Sequence, residues 1–260
     1  MTFDHSKKKF LSKYLFLVVF LCFCLKGYAQ QQTIVVGLEA LDYLPYYQSG
    51  IPNKEPTGYG VELIKLFASK YNYSVQFKTY PVRRLLSNLL AGKIDFKYPD
   101  SPNWSPALKR SHRLFYSDTT VEIIDGIVTL EKYHQLLLDE FVSLGSIRGF
   151  KPWPYIGAIQ QREMTLMEAS NMNQLIRQLI KGRVQGVYIN INVAIDYAAN
   201  NFDGIQLYWN NSLPFGRDNF SLSTIKHPLI LEEFNAFLIK YNEEILLIKQ
   251  KYNLEYSPLS

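Results

Sequence analysis

The chain has 260 residues, of which 47% are hydrophobic and 20% are charged. This composition is typical of a globular protein and excludes a disordered or collagen-like chain, and the length allows one large domain or two of ordinary size. The net charge of +5 comes mostly from residues 1–29, since the remaining 23 basic and 22 acidic residues nearly balance. A dedicated nucleic-acid binder should carry a basic face, so we expect no nucleic-acid partner.

The first thirty residues have the pattern of a secretory signal. Four lysines precede an unbroken apolar run of twelve residues, 14–25, and the small residues Gly27 and Ala29 follow it. An uncleaved anchor is the alternative, but a membrane span needs about 20 apolar residues. We therefore predict that residues 1–29 are a signal peptide cleaved after Ala29, that the mature protein is periplasmic, and that it does not span the membrane.

Both cysteines, Cys22 and Cys24, lie inside this predicted signal. A mature chain without cysteine has no disulfide, no thiolate metal site and no cysteine nucleophile. The mature histidines, His112, His134 and His227, are well separated and lack the spacing of metal ligands. We therefore expect neither a cofactor nor a bound metal.

Strand and helix patterns alternate through the first half of the mature chain. Apolar runs and alternation predict strands, and apolar stripes at helical spacing predict helices. Strands are predicted at 33–38, 73–80 and 94–98, and helices at 60–71 and from 81 to 92. This order of elements predicts a parallel sheet with right-handed crossovers.

The second half of the chain repeats this alternation. Helices are predicted at 172–181 and 191–199, strands at 184–189 and 205–209, and one long closing helix at 229–252. There is also a weak internal repeat at an offset of 90, in which 89–95 matches 179–185. If two similar lobes face each other, the strand ends would place Tyr98, Asp100, Tyr188 and Asn190 around one cleft, because ligands bind beyond the carboxyl ends of such strands.

Six segments of the mature chain together resemble solute-binding family 3, the periplasmic proteins that serve polar amino-acid ABC transporters. No single motif is specific, but the order and spacing of the six match the family over essentially the whole mature chain. They are the loop 42–47, the helix entry 57–63, the joint 89–95, the pair Lys109-Arg110 six residues before 116–118, the strand and turn 144–149, and the segment 182–190.

The resemblance implies an α/β protein of the type II periplasmic-binding fold. Each of its two lobes has a mainly parallel sheet flanked by helices, with a cleft between the lobes. Here lobe 1 would comprise residues 30–124 plus 213–260, and lobe 2 residues 125–212. Two hinge crossovers would lie near 119–129 and 211–224.

The resemblance also identifies a candidate carboxylate clamp at Arg110. A planar, permanently charged guanidinium binds a carboxylate through two hydrogen bonds. A solvated arginine in the basic run 109–113 is the alternative. The insertion 98–104 departs from the family pattern and would shift the clamp.

Further candidate ligand residues surround the expected cleft. Tyr43 and Tyr47 would stack on a ligand while their hydroxyl groups bind it. Trp104 flanks the cleft, and the turn that begins at Arg148 offers backbone N–H groups to an anion. For each of these residues, ordinary packing is the alternative.

Asn190 departs from the family in an informative way. Relatives that bind amino acids usually have Asp at this position, where it pairs with the ammonium group of the ligand. Asn is neutral and cannot supply that charge, so Asp100 or Glu39 would have to compensate. If neither does, the ligand is not a standard α-amino acid.

These features predict a binding protein rather than an enzyme. It would be a monomer that captures a small polar, carboxylate-bearing ligand by hinged closure and presents it to an ABC permease. Two alternatives stay open: a binding protein that feeds a sensor receptor, and a small periplasmic enzyme similar to cyclohexadienyl dehydratases. The chain has no G-x-S-x-G motif and no P-loop, which argues against the commonest enzyme classes.

Overall fold

The computed structural model describes residues 31–254 of the chain. The predicted signal peptide and its cleavage site therefore lie outside the described residues. Among residues 31–254, no helix is both long enough and apolar enough to cross a bilayer.

The described part of the chain is a mixed α/β structure. Its strands are β1 (Gln32–Glu39), β2 (Asp42–Tyr43), β3 (Tyr47–Gln48), β4 (Tyr73–Tyr80), β5 (Phe96–Asp100), β6 (Phe115–Tyr116), β7 (Val121–Thr129), β8 (Ser143–Ile147), β9 (Thr165–Ala169), β10 (Gly186–Asn190), β11 (Tyr208–Trp209) and β12 (Gly216–Thr224).

Its helices alternate with these strands. They are α1 (Tyr59–Lys70), α2 (Val82–Leu90), α3 (Pro106–Lys109), α4 (Ile156–Gln160), α5 (Met172–Ile180), α6 (Ile191–Asn201), α7 (Pro228–Lys240) and α8 (Asn242–Lys251). Short 3₁₀ turns occur at Glu131–Tyr133, Leu138–Glu140 and Trp153–Tyr155.

One long sheet runs through the molecule in the strand order β4-β1-β5-β12-β7-β10-β8-β9. Strand β5 is parallel to β1, and β8 is parallel to both β10 and β9. The two long strands β7 and β12 are antiparallel to each other and to their outer neighbours. They therefore join a first half, built on β4, β1 and β5, to a second half, built on β10, β8 and β9.

The predicted repeat is also present in the local structure. Helices α2 and α5 begin 90 residues apart, and so do strands β5 and β10. Each helix ends at a glycine in the left-handed region, with φ of +68° at Gly92 and +64° at Gly182. At both joints the glycine N–H bonds to the carbonyl three residues back, and the next N–H bonds to the carbonyl five residues back. This double bond pattern is a standard way of ending a helix at glycine.

The predicted closing helix is wrong in one respect. The segment 229–252 forms two helices, α7 and α8, which meet at Tyr241 with φ −112° and ψ 28°. The break lets α8 run along α1, where Lys70 Nζ lies 2.8 Å from Glu244 and Lys251 Nζ lies 2.6 Å from Glu62. The predicted strand at 205–209 is likewise shorter, since it forms only as β11.

Candidate functional site

A cavity of about 370 Å³ opens where the two halves of the sheet meet. Its walls come from the ends of β1 and β5, from the loop after β5, from β7, β10 and β12, and from the turn at 149–154. This volume lies within the range typical of small-molecule sites. The cavity is the candidate binding site.

Asp100 pairs with two lysines at one end of the cavity. Its Oδ1 accepts hydrogen bonds from Lys97 Nζ at 3.0 Å and from Lys109 Nζ at 2.9 Å, while its Oδ2 accepts one from Ser223 Oγ at 2.7 Å. Burial alone would raise the pKa of Asp100, but the two lysines and Ser223 outweigh it and hold that pKa below its usual range. Both lysines are therefore already paired within the protein.

The other acidic side chains of the cavity differ in how well they are satisfied. Glu39 at the end of β1 accepts a hydrogen bond of 2.5 Å from the Tyr47 hydroxyl. Asp218 on β12 accepts bonds from Ser101 Oγ at 2.7 Å and from Asn103 Nδ2 at 3.3 Å. Asp125 on β7 has a buried Oδ1 atom without a hydrogen-bond partner.

Burial and charge shift the pKa values of two of these acids upward. Burial raises the pKa of Glu39 despite the opposing effects of Lys97 and Tyr47. Burial, followed by repulsion from Asp218 and from Glu39, raises the pKa of Asp125 to about 7. A buried carboxyl that repels its neighbours binds its proton more tightly. Asp125 therefore changes its charge near neutral pH.

Aromatic and aliphatic side chains form most of the remaining wall. Tyr43 stacks on Tyr47 with ring centroids 5.2 Å apart, and Phe150 meets Tyr43 edge-on at 5.8 Å. Trp104 packs edge-on against Phe220 at 5.7 Å. Other apolar side chains of the wall are Val82, Leu86, Ile123, Trp153, Pro154 and Ile189. Such a wall suits the apolar body of an organic ligand.

Polar contacts also bridge the two halves of the sheet beside the cavity. The backbone N–H of Asn190 donates to the Tyr43 hydroxyl at 3.4 Å, and Asn190 Nδ2 donates to the Tyr46 hydroxyl at 3.5 Å. On the surface, Arg83 in the first turn of α2 lies 3.0 Å from Glu168 on β9. The same carboxylate accepts a bond from the Gly149 N–H at 3.3 Å. The bonds of Asn190 with Tyr43 and Tyr46 and the pair of Arg83 with Glu168 join the two halves, whereas Gly149 and Glu168 both belong to the second half.

Six of the residues predicted from the sequence line the cavity: Glu39, Tyr43, Tyr47, Asp100, Trp104 and Tyr188. They come from the first loop, from both units of the repeat, and from the insertion after β5. The geometry thus brings these six side chains together, as expected for a cleft at the ends of the strands.

The other four predicted residues lie elsewhere. Tyr98 is fully buried, with its hydroxyl 3.2 Å from Thr120 Oγ1. Asn190 caps α6, because its Oδ1 accepts from the Val193 N–H at 3.1 Å. Arg148 is exposed and lies 4.0 Å from Glu168. Its own N–H bonds to the Ala169 carbonyl, and the Gly149 N–H is used by Glu168, so two donors of the expected anion turn already have acceptors.

Arg110 is the fourth of these residues, and it is exposed. It directly follows the one-turn helix α3, whose last residue, Lys109, points inward to Asp100 and to the Ser101 carbonyl. Adjacent residues of a helix point in directions about 100° apart, so an inward Lys109 turns Arg110 outward. The charged residue of this segment that lines the cavity is therefore Lys109, which is already paired with Asp100.

Sequence reasoning missed Lys97, Lys109 and Asp125. Lys97 stands between Phe96 and Tyr98, and Asp125 directly follows Ile123 and Ile124. A charge inside such an apolar stretch is a signal that a charged side chain is buried for a particular task. The pairing of Lys109 with Asp100 had no such signal, since it depends on how the segment after β5 folds back.

The residues 31–254 contain no group of three or more His, Cys, Asp or Glu side chains arranged to hold a metal ion. The cavity has paired lysines at one end, an unsatisfied carboxyl on β7 and an aromatic wall.

Comparison with solved structures shows the same fold in several two-lobed, type II periplasmic binding proteins. An arginine 3rd transport system periplasmic binding protein from Legionella pneumophila superposes with a TM-score of 0.69 at 13% identity, covering 85% of this chain and 99% of that one. An ancestral arginine-binding protein bound to arginine gives a TM-score of 0.68 at 19% identity, with 85% and 97% covered.

A third solved structure is an ancestral amino acid-binding protein described as a precursor of cyclohexadienyl dehydratase. It gives a TM-score of 0.66 at 16% identity, covering 86% of this chain and 96% of that one. No curated protein sequence matches the chain significantly. At these identities the solved structures establish the fold alone.

The family assignment comes from the sequence. The family model for bacterial extracellular solute-binding proteins, family 3, matches residues 34–253, which is nearly all of the described chain. This match agrees with the two-part sheet, the repeated helix-to-strand joints and the cavity between the halves. The chain therefore belongs to the bacterial extracellular solute-binding proteins of family 3.

Proposed function

We propose that this protein captures a small organic solute by closing two lobes around it, and that the closed form docks on a membrane ABC permease. Lobe 1 comprises residues 30–124 and 213–260, and lobe 2 comprises residues 125–212. Strands β7 and β12 are the two crossovers between the lobes. The observation that supports this proposal most directly is the cavity of about 370 Å³, whose walls come from both proposed lobes.

The contacts beside the cavity support closure as the mechanism. Tyr43 and Tyr46 of lobe 1 hydrogen-bond Asn190 of lobe 2, and Arg83 of lobe 1 pairs with Glu168 of lobe 2. A ligand that touches both lobes stabilises the closed form through contacts that the open form lacks. Binding is thereby converted into a change of shape that a membrane partner recognises.

The family and its solved relatives support a ligand of amino-acid size in an exported protein. The family is extracellular in bacteria, and two of the relatives compared above are named for arginine. The pattern of residues 1–29 supports export to the periplasm through a cleaved signal. A sensor receptor would use the same closed form, and a permease gene beside this one would favour transport.

A thermal-shift screen tests the proposed function. Purified residues 30–260 are heated with amino acids, amines, small carboxylates, peptides and polyamines. A ligand at a hundred times its Kd stabilises the protein by about 2.7 kcal/mol, which is roughly 5–10 °C for a chain of this size. The proposal predicts one chemical class of hits, and no stabilisation by any solute at millimolar concentration would contradict it.

Two matched variants show whether a hit occupies the cavity. Val82→Trp places a large ring in the cavity wall, whereas Val142→Trp places it on an exposed site outside the cavity. We expect Val82→Trp to abolish the shift and Val142→Trp to leave it unchanged. Equal shifts in the two variants would place the ligand somewhere else.

Catalysis is a second candidate function, and one observation favours it. Asp125 faces the cavity with a pKa near neutrality, which is the property required of a general acid. Incubating each hit with the protein and analysing the mixture by mass spectrometry tests this candidate. A product that forms with the wild type and not with Asp125→Asn would establish catalysis, whereas unchanged ligand would leave binding as the function.

A further inference from the structure

The carboxylates of the cavity have an unequal set of partners. Glu39 is bonded by Tyr47, Asp218 by Ser101 and Asn103, and Asp100 by two lysines and a serine. Asp125 alone among these four has a buried oxygen atom, Oδ1, that lacks a hydrogen-bond partner. A buried polar atom without a partner is costly to the folded protein, so such an atom in a cavity wall points to a ligand.

The surroundings of Asp125 are negative or neutral. Asp218 on β12 and Glu39 on β1 repel its charge, and Tyr43 and Tyr188 approach it from the first loop and from β10. The two buried cations of the cavity lining are already paired within the protein. Lys97 and Lys109 pair with Asp100, while the exposed Arg217 and Lys151 lie over the rings of Phe215 and Trp153.

The expected anion clamp is not available to a ligand in this cavity. Arg110 is exposed and does not line it, and Lys109, its inward-pointing neighbour, is already bonded to Asp100 and to the Ser101 carbonyl. A ligand carboxylate placed beside Asp125, Asp218 and Glu39 would be repelled by all three. The carboxylates of the cavity wall thus favour a cationic group of the ligand and disfavour an anionic one.

The aromatic walls define the rest of the ligand. Flat apolar surfaces surround the three carboxylates just named, and they come from Phe150, Trp104, Trp153 and Phe220. An aromatic or branched apolar group of the ligand can be buried against such surfaces. Its burial contributes about 25 cal/mol to the binding free energy for each Å² of apolar area removed from water. This lining suits an organic cation rather than a bare metal ion, because a metal ion would make no use of the apolar surface.

We infer that the cavity selects its ligand through an ammonium group that binds the Asp125 carboxylate, with an aromatic or apolar body against the walls, and that it does not require an α-carboxylate. The ligand class is a primary arylalkyl or alkyl amine. This inference rests on the proposed function, since it names the solute that the closing lobes capture. The inference also agrees with the neutral side chain of Asn190, which supplies no charge to a ligand and instead caps α6.

Three matched compounds test this inference by isothermal titration calorimetry on residues 30–260 at pH 8. They are 2-phenylethylamine, phenylalanine and 3-phenylpropionate, which carry the amine alone, both groups, and the carboxylate alone. We expect 2-phenylethylamine to bind at least as tightly as phenylalanine, and 3-phenylpropionate not to bind at millimolar concentration. Phenylalanine binding tenfold tighter than the amine, or binding of the carboxylate alone, would overturn the inference.

The matched variants Asp125→Asn and Asp203→Asn identify the group that binds the amine. Both remove one carboxylate charge, but Asp203 is exposed in the loop after α6 and outside the cavity. We expect Asp125→Asn to weaken 2-phenylethylamine at least tenfold and Asp203→Asn to leave its affinity unchanged. Equal affinities in the two variants would overturn the assignment to Asp125, provided that both variants melt cooperatively.

The wild type offers a second readout that needs no variant. The amine stays protonated between pH 5.5 and 8, whereas Asp125, which lies near Asp218, Glu39, Tyr43, Tyr46 and Tyr188, gains its charge over this range. We expect the affinity for 2-phenylethylamine to rise severalfold from pH 5.5 to 8, and a flat profile would contradict the inference.

Failure of this inference is distinguishable from failure of the proposed function. If none of the three compounds binds while another solute from the screen is stabilising and is blocked by Val82→Trp, the ligand class is wrong and the binding function stands. If no solute of any class binds, both fail.

Discussion

Asp100 is the counter-charge for the buried lysines at one end of the cavity. It is fully buried and neutralises two buried lysines, Lys97 and Lys109. Ser223 Oγ and the Ser101 N–H satisfy its remaining acceptor sites. A charged group with this set of partners stabilises the protein mainly because its loss would leave other buried charges unpaired.

Replacing Asp100 by Asn should therefore destabilise the protein strongly. Two lysines lose their counter-charge, and removing one partner of a buried ion pair costs about 3–5 kcal/mol, or roughly 6–20 °C in Tm for a chain of this size. The exposed Asp203→Asn is the control and should cost less than about 0.5 kcal/mol. Calorimetric melting of both variants checks this prediction, and equal Tm values would contradict it.

The pH dependence of this effect has a definite sign. The pKa of Asp100 is lowered in the folded state, so its contribution to stability is present above the pKa of the unfolded chain and is lost as the pH falls through the folded value. The difference in Tm between wild type and Asp100→Asn should thus shrink in acid.

Asp125 should show the opposite behaviour. Its pKa is raised from 3.8 to about 7, because burial and nearby acids disfavour its charge, so it destabilises the folded protein increasingly as the pH rises from about 4 to 7. Charging it costs on the order of 4 kcal/mol as an upper limit. Ligand-free Asp125→Asn should gain Tm over wild type at pH 8 and little at pH 4.5. A gain that does not depend on pH would refute this account of Asp125.

The sequence could reveal candidate side chains but not their pairing. Glu39 and Asp100 are the last residues of β1 and β5, and Tyr43 and Tyr47 lie in the segment that follows β1. Position near the end of a strand was enough to find them. The direction of Lys109 and Arg110 depends on the one-turn helix α3 inside the insertion. No pattern in the sequence specifies which of two adjacent basic residues such a helix turns inward.

At the scale of elements, the two joints of the repeat provide a built-in comparison. Gly92 and Gly182 have nearly the same φ, but a Cβ atom at Gly92 would lie 2.9 Å from Lys226 Cε, whereas at Gly182 the nearest atom is Lys132 Nζ at 4.0 Å. Lys226 Nζ also donates to the Gly92 carbonyl. The first joint is therefore crowded and the second is open.

Alanine substitutions at these joints should thus differ in cost. Gly182→Ala should cost only the strain of placing a Cβ atom in the left-handed region, about 1–2 kcal/mol. Gly92→Ala should lose the same amount of stability and should also displace Lys226, so its Tm should be lower than that of Gly182→Ala. Thermal melting of the two variants at one pH measures the difference. A Tm of Gly92→Ala equal to or above that of Gly182→Ala would contradict the comparison.

Local sequence patterns predicted most of the elements because the patterns are themselves local. Strand β4 matches its prediction at both ends, and α1, α2 and α5 match within one or two residues. The break at Tyr241 could not be predicted in this way, since it reflects the contacts of α8 with α1, which is far away in the sequence.

At the scale of the whole molecule, the pair Arg83 and Glu168 should favour the closed form. The pair joins the two proposed lobes at 3.0 Å, but both side chains are partly exposed, so it contributes at most about 1 kcal/mol. Arg83→Gln should raise the Kd of any cavity ligand by up to about fivefold at low salt. The control, Lys70→Gln, removes an ion pair of 2.8 Å within lobe 1 and should leave the Kd unchanged. Equal Kd values in both variants would mean that the Arg83 pair does not act on closure.

The central claim is that the two lobes close on a ligand, and a distance measurement between them tests it most directly. The predicted mature chain has no cysteine, so Lys93→Cys with Arg183→Cys places spin labels at the two equivalent exposed joints of the repeat. These joints precede β5 and β10 and so lie at the strand ends away from the cavity. Double electron–electron resonance should give a broad distance distribution without ligand and a narrow, displaced one with a ligand from the screen. An unchanged distribution with a ligand that binds in the cavity would contradict closure as the mechanism.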